Sequence, residues 1–188
     1  MSLASLFHRN RHRDAALRLY ETIVERAREP VFFSHYGVPD TLDGRFELLA
    51  LHGFLVLNRL KKEHSRTAEL AQQLFDIMFS DIDRALREMG VGDLGVGRQV
   101  KTMAKAFYGR IGAYEAGLAA GDADLGQALR RNLFGTVTVP DRCVDEIAAY
   151  LRHCAAAVAA QPVDHLIDGV VGFAALPIPA ANALSDGR

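Results

Sequence analysis

Cysteine and tryptophan are scarce in this chain: its 188 residues include two cysteines, Cys143 and Cys154, and no tryptophan. Both cysteines fall in one predicted helix, which would hold them roughly 16 Å apart. A disulfide requires Cα atoms within roughly 7 Å of each other. The two thiols therefore cannot pair, which excludes a secreted disulfide framework and favours the reducing cytoplasm. We expect both cysteines to be packing residues.

Long uncharged apolar runs are also missing. The longest, Gly169 to Leu184, spans 16 residues and contains Pro177 and Pro179, whereas a membrane-spanning helix needs about 20. The sequence therefore predicts no transmembrane segment, and this run is either a loosely packed tail or a contact with a membrane or partner. The basic residues within 1–13 are followed by no apolar stretch, so we expect no secretory signal.

Neither sign of charge dominates the composition. Lys and Arg total 22 against 23 Asp and Glu, which leaves a formal net charge of −1. Such a balance argues against a surface devoted to nucleic acid, and we expect no DNA binding and only local electrostatic contacts. The hydrophobic fraction of 49% is sufficient for one domain. We predict a basic arm over 1–13, one all-helical domain over 14–175 and a Pro/Ala-rich tail over 176–188.

The spacing of apolar residues predicts an all-α fold, a single compact multi-helix domain. From Phe46 to Leu57 apolar residues surround nearly the whole helix circumference, so this helix, which we expect Asp43 to cap, should lie at the centre. An aromatic connection over 31–40 precedes it. The other predicted helices run from an N-cap at Asp14 to about Ala27, and over about Ser65 to Met89, Arg98 to Ala120, Asp122 to Phe134, Asp141 to Ala160 and Val163 to Phe173.

Three patterns suggest catalytic or cofactor chemistry, and each has a simpler interpretation. Gly90 to Gly95 satisfies GxGxxG but follows a long helix instead of a strand, which indicates a turn. The carboxylate stripe, Glu69, Asp76 and Asp83, has no accompanying Glu-x-x-His pair, so a solvated or salt-bridged face is expected. His52 lacks an identifiable nucleophile or orienting acid and fits a hydrogen-bonded core or groove residue. We therefore predict a protein that is not an enzyme and holds no cofactor or metal.

The helix from Arg98 carries a basic stripe, formed by Arg98, Lys101 and Lys105, opposite its apolar face. One interpretation makes this stripe an exposed face or an ion-pair partner of the carboxylate stripe. The other makes it a docking site for acidic groups, including RNA phosphate, with Tyr108 interleaved among the cations. Sequence alone leaves both open.

The run from Gly37 to Leu57 resembles the signature region of the ubiquinol-cytochrome c chaperone family. The resemblance covers roughly Ala15 to Gly135 and is less clear beyond that point. Further similar blocks are Leu74 to Phe79, Arg87 to Leu94, Lys101 to Arg110 and, more weakly, Arg131 to Gly135.

This resemblance implies an all-helical assembly factor for the cytochrome bc1 complex, with newly made cytochrome b as its client. The short chain resembles the bacterial form, which implies a cytoplasmic protein at the cytosolic face of the inner membrane. A ribosome or a partner assembly factor, and peripheral membrane association, are further candidate interactions. The alternative function is a helical RNA- or ribosome-associated regulator that uses the basic stripe.

A chaperone for a membrane subunit requires an apolar groove with polar rims. We expect the aromatic connection and the region from Met103 to Tyr108 to form its walls, although the same residues are equally typical of core. The candidate partner-binding residues are Phe33, Tyr36, Arg45, His52, Arg98, Lys101, Lys105, Phe107, Tyr108 and Arg110.

Overall fold

A computed structural model describes residues 3–176, with side chains from residue 11 onward. Over that range the chain forms eight helical segments and no strand, which confirms the all-α prediction. Most of the predicted tail, 177–188, lies outside the described residues, so the proposed domain boundaries stay predictions. The helices are α1 Leu3–Ala27, α2 Val31–Ser34, α3 Leu42–Lys61, α4 His64–Glu88, α5 Asp93–Ala120, α6 Asp122–Arg131, α7 Asp141–Ala160 and α8 Val163–Ile167.

Helix α3 lies at the centre of the domain, as its apolar circumference predicts. It contacts α1, α4, α5 and α7. Phe46 and Val56 belong to a core cluster shared mainly with α1, α4 and α5. Leu51 and Phe54 belong to a second cluster shared mainly with α2, α6 and α7. A single helix therefore supplies both halves of the hydrophobic core.

Two glycines let other parts of the chain approach α3 closely. A Cβ atom at Gly44 would lie 2.0 Å from the carbonyl oxygen of Pro39, and one at Gly53 would lie 2.8 Å from Cε of Met78. Neither distance is compatible with ordinary packing. The glycines thus permit the preceding loop and α4 to pack against the central helix.

The helix starts differ from three predictions. Thr41, not Asp43, caps α3, because its hydroxyl accepts a hydrogen bond from the amide of Gly44 at 3.2 Å. The predicted cap at Asp14 is wrong, since α1 already begins at Leu3; no Gly or Pro interrupts the basic segment. Helix α5 begins at Asp93 instead of Arg98, and the full burial of Val96 anchors its first turn.

Replacing the fully buried Leu51 with alanine should lower the free energy of unfolding by roughly 2–5 kcal/mol, because the surrounding helices cannot collapse into the space left behind. Urea denaturation followed by circular dichroism measures this loss. Leu94→Ala is the matched control, since Leu94 is 92% exposed and should change stability by less than about 0.5 kcal/mol. Equal losses in the two variants would contradict the central position of α3.

Candidate functional site

An open groove, here called the apolar groove, lies between α1, α3, α4 and α5. Its cavity volume of about 480 Å³ lies in the range of ligand-binding clefts. Apolar side chains from all four helices form its floor. They are Val24, Ala27, Leu42, Phe46, Leu49, Ile82, Ala85, Met89 and Met103.

Charged side chains of both signs form the rim of the apolar groove. Arg45 donates to the carboxylate of Asp40 at 2.7 Å. The guanidinium of Arg45 lowers the pKa of Asp40 below its usual value through this hydrogen bond. Arg28 and Glu88 also line the groove and are exposed. The rim can therefore contact charged groups of either sign that flank an apolar segment of a partner lying in the groove.

A hydrogen bond between Tyr20 and Asp81 fixes the groove walls formed by α1 and α4. The Tyr20 hydroxyl donates to the Asp81 carboxylate at 2.5 Å. Burial raises the pKa of Tyr20 above its usual range, and the hydrogen bond to Asp81 adds to the increase. The phenol thus stays protonated at physiological pH and holds the two helices at a fixed spacing.

The connection between α4 and α5 presents two large exposed apolar side chains. Met89, which lines the apolar groove, is 54% exposed, and Leu94 in the first turn of α5 is 92% exposed. Apolar side chains exposed beside a cleft are typical of partner-binding surfaces, and methionine adapts to irregular partners. Sequence reasoning missed both residues, because their exposure depends on where the helices end.

A largely buried ion pair between Glu47 and Arg110 joins α3 to α5 next to Phe46 of the groove floor. The Nε of Arg110 donates to both carboxylate oxygens of Glu47, at 3.0 and 2.9 Å. The guanidinium also lies 5.8 Å from the ring centroid of Phe46. Burial raises the pKa of Glu47, and the hydrogen bonds from Arg110 oppose that increase. Arg110 is therefore engaged within the domain and positions the groove floor.

His52 is a fully buried residue in the core. Its Nδ1 lies 2.8 Å from the carbonyl oxygen of Leu48 and its Nε2 lies 2.9 Å from the Tyr150 hydroxyl. Burial lowers the pKa of His52 to about 4, so the ring is neutral at pH 7, when Nδ1 donates and Nε2 accepts. The interpretation of His52 as a hydrogen-bonded core residue is confirmed, and a partner cannot reach it while the domain stays folded.

The aromatic side chains of the connection over 31–40 do not line the apolar groove, contrary to expectation. The ring of Phe32 packs against His52 of α3 and Tyr150 of α7, and Tyr36 is fully buried. Phe107 is fully buried in the other half of the core. These side chains support the domain from inside and cannot touch a partner.

Two other candidate partner-binding residues are more accessible to a partner. Phe33 is half-buried, and Arg45 lines the apolar groove.

The basic stripe is exposed, and within the described residues none of its three cations forms an ion pair. The idea that it pairs with the carboxylate stripe is wrong. Asp83 instead accepts from Arg87 of its own helix at 2.6 Å. Tyr108, 60% exposed, stacks on Phe75 with ring centroids 5.5 Å apart. The stripe is thus a free cationic surface beside an exposed aromatic ring.

The described residues hold neither a cluster of metal ligands nor a membrane-spanning helix. Among the described side chains, residues 11–176, no group of three or more His, Cys, Asp or Glu is placed to hold a metal ion. None of the helices in this part of the chain is both long and apolar enough to cross a membrane. Cys143 and Cys154 are buried free thiols. The apolar groove and the basic stripe are candidate sites because of their lining and their exposure.

Comparison with known proteins identifies the family. The family model described as "Ubiquinol-cytochrome C chaperone" matches residues 34–173. The match continues through α7 and α8, past the limit at Gly135 expected from sequence. The chain belongs to the ubiquinol-cytochrome c chaperone family.

Individual relatives support this assignment. The Xenopus laevis ubiquinol-cytochrome-c reductase complex assembly factor 1 is 30% identical over 138 residues, which cover 73% of this chain and 69% of that protein. The human protein is 29% identical over 138 residues, and only 46% of its length is matched. The crystal structure of the Cbp3 homolog from Brucella abortus is similar with a TM-score of 0.81 and 36% identity, covering 93% of this chain and 98% of that one.

Replacing Arg110 with methionine should leave Glu47 buried without its partner and lower the free energy of unfolding by about 3 kcal/mol at pH 7.5. Without Arg110, the pKa of Glu47 in the folded state should rise further above its unfolded value. Folding then favours the protonated carboxyl, so the deficit relative to wild type should shrink between pH 7.5 and pH 5. Urea denaturation of wild type and Arg110→Met at both pH values measures this difference in the free energy of unfolding.

Arg45→Met is the control for this experiment. It breaks an ion pair whose side chains are 60% and 55% exposed, so it should cost less than about 1 kcal/mol. A deficit for Arg110→Met that is the same at both pH values would show that Glu47 is not the group left unpaired.

Proposed function

We propose that this member of the ubiquinol-cytochrome c chaperone family is a non-catalytic assembly chaperone for ubiquinol-cytochrome c reductase, and that it holds newly made cytochrome b in the apolar groove. We take the identity of the complex from the names of the Xenopus and human relatives, which are assembly factors of the ubiquinol-cytochrome c reductase complex. The observation that carries the proposal for this chain is the groove itself, which combines an apolar floor with a rim of both charges. We place its action at the cytosolic face of the inner membrane.

The groove suits one face of an apolar helix. A cytochrome b helix that has not yet been inserted exposes side chains that would otherwise aggregate, and these recur at three- and four-residue steps along one face. A cavity of about 480 Å³ can receive a few such side chains without enclosing the whole helix. Met89 and Met103 can adjust to different client side chains, because methionine is unbranched and flexible.

The rim limits how strongly the client is held. Arg45, Asp40 and Glu88 remain accessible to water at the edge of the groove, so their contacts with a client contribute little net affinity. Most of the binding free energy then comes from a small apolar area. Such a complex can dissociate when the membrane offers the client helix a larger apolar environment.

Introducing two charges at exposed groove positions, Leu42→Glu and Met89→Glu, should reduce recovery of cytochrome b at least tenfold. Each change removes apolar contact worth about 1.5 kcal/mol or more and places a carboxylate against an apolar client. Both side chains are at least a third exposed, so the fold should be retained. Crosslinking in membranes followed by affinity purification and quantification of cytochrome b measures the effect.

Val137→Glu together with Val170→Glu is the matched control, since both valines are exposed and lie outside the groove. The control should recover cytochrome b as wild type does. Equal recovery by the groove variant and wild type would exclude the groove as the client site. Normal levels of the assembled complex in a deletion strain would reject the assembly role itself.

A second candidate function, RNA or ribosome association, is supported by the unpaired basic stripe. Lys101 and Lys105 lie seven and three residues before Tyr108, respectively, on the same face of α5, an arrangement that suits phosphate contacts beside a base-stacking ring. The two functions use different surfaces. They are therefore compatible in one protein.

Reversing two stripe charges, Lys101→Glu and Lys105→Glu, should abolish salt-sensitive ribosome association and lower the salt dependence of residual binding by roughly one counterion per lost contact. Sedimentation with ribosomes across a salt series measures both quantities. Arg84→Glu with Arg142→Glu gives the same change in net charge away from the stripe and should leave association intact. Wild-type association that does not depend on salt would count against this function.

A further inference from the structure

A second cavity, here called the cationic cavity, opens between the C-terminal parts of α3 and α5 and the helix α7. Its volume is about 460 Å³, and it shares no lining residue with the apolar groove. Leu55, Leu118 and Val158, together with several alanines, give it an apolar wall. The rest of the lining consists of the amide of Asn58, three cations and one carboxylate: Arg59, Lys62, Arg152 and Glu115.

Arg59 is a largely buried cation with little compensation. Its side chain is 12% exposed, and its Nη2 donates one long hydrogen bond, 3.3 Å, to the carbonyl oxygen of Gln161. The carboxylate of Glu63 lies 3.8 Å from Nη1, beyond hydrogen-bond distance. Its Nε is buried and has no hydrogen-bond partner among the described residues. Buried charges in proteins are normally paired and hydrogen-bonded, so Arg59 retains capacity for an anion.

Arg152 brings a second unused donor to the same cavity. Its Nε donates to Asp122 at 2.6 Å and its Nη1 to the carbonyl oxygen of Leu118 at 3.2 Å. These contacts hold the guanidinium in place. Its Nη2 is buried and has no hydrogen-bond partner among the described residues. Two buried donors without partners therefore belong to residues on separate helices that line the same cavity.

The charge of the lining specifies the kind of anion. Glu115 is the single carboxylate among three cations, and Lys61 already pairs with it at 3.0 Å. With the charged partners of the lining included, four cations (Arg59, Lys61, Lys62 and Arg152) stand against three carboxylates (Glu63, Glu115 and Asp122), so one positive charge is in excess. A phosphate monoester carries about −1.5 to −2 charges at neutral pH and offers three strong acceptor oxygens. Guanidinium groups match phosphate oxygens in both charge and geometry.

We infer that the cationic cavity binds the phosphate monoester group of a small amphiphile. After a small shift of the side chains, the phosphate accepts hydrogen bonds from the unused donors of Arg59 and Arg152 and pairs with the exposed ammonium of Lys62. A short apolar substituent lies against the wall formed by Leu55 and Leu118. The same chemistry is presented by a free phosphorylated molecule and by the headgroup of a phosphomonoester lipid.

Calorimetric titration of the full chain with hexyl phosphate tests this inference. Wild type should bind saturably, more tightly than it binds inorganic phosphate, and should not bind hexanol. Arg59→Gln and Arg152→Gln should each weaken binding about tenfold or more, because each removes a charged hydrogen bond. Arg130→Gln, a change outside the cavity, should leave affinity unchanged. Thermal denaturation identifies any variant that loses its fold. Lys62→Gln, which alters an exposed side chain, is then titrated in place of that variant.

Vesicles distinguish the two sources of the phosphate. Binding to vesicles of phosphatidic acid in phosphatidylcholine, lost on addition of hexyl phosphate, supports the lipid headgroup. Binding of hexyl phosphate without vesicle binding supports a free molecule. Failure of wild type to bind hexyl phosphate saturably, or unchanged affinity in folded Arg59, Lys62 and Arg152 variants, would overturn the inference.

Discussion

The burial of α3 on all sides is the constraint on which the rest of the structure depends. A helix with apolar residues around its circumference cannot face water along any stripe, so neighbouring helices must surround it. Helices α1, α4, α5 and α7 do so. The apolar groove and the cationic cavity lie near opposite ends of this helix.

The polar residues on α3 determine how those neighbours are arranged. An apolar helix can rotate or slide among its neighbours at modest cost, whereas a buried carboxylate or imidazole requires a partner at one position. Glu47 meets Arg110 of α5, and His52 meets Tyr150 of α7. These two contacts fix the register of α5 and α7 against α3 and thereby the shape of both cavities.

Local sequence patterns predict the helices well and the surfaces less well. The spacing of apolar residues places α3, α4 and α7 correctly, because a helix must present one continuous apolar face to the core. The basic stripe is also predicted as a face opposite that apolar side. The groove depends on the relative position of four helices, which no local pattern contains. The sequence therefore leaves open whether Tyr36 forms a groove wall or core, and the structure shows core, while nothing in the sequence indicates the exposure of Met89.

Helix α5 connects the two surfaces proposed to act. Its inner face supplies Met103 to the groove floor, and its outer face carries the basic stripe. Glycine weakens a helix by about 1 kcal/mol relative to alanine, and Gly109 and Gly112 face open space on α5, where they gain nothing from packing. The helix must then be held by its tertiary contacts, chiefly the burial of Phe107 and the ion pair of Arg110 with Glu47. A change at that ion pair would consequently alter the groove floor and the orientation of the basic stripe together.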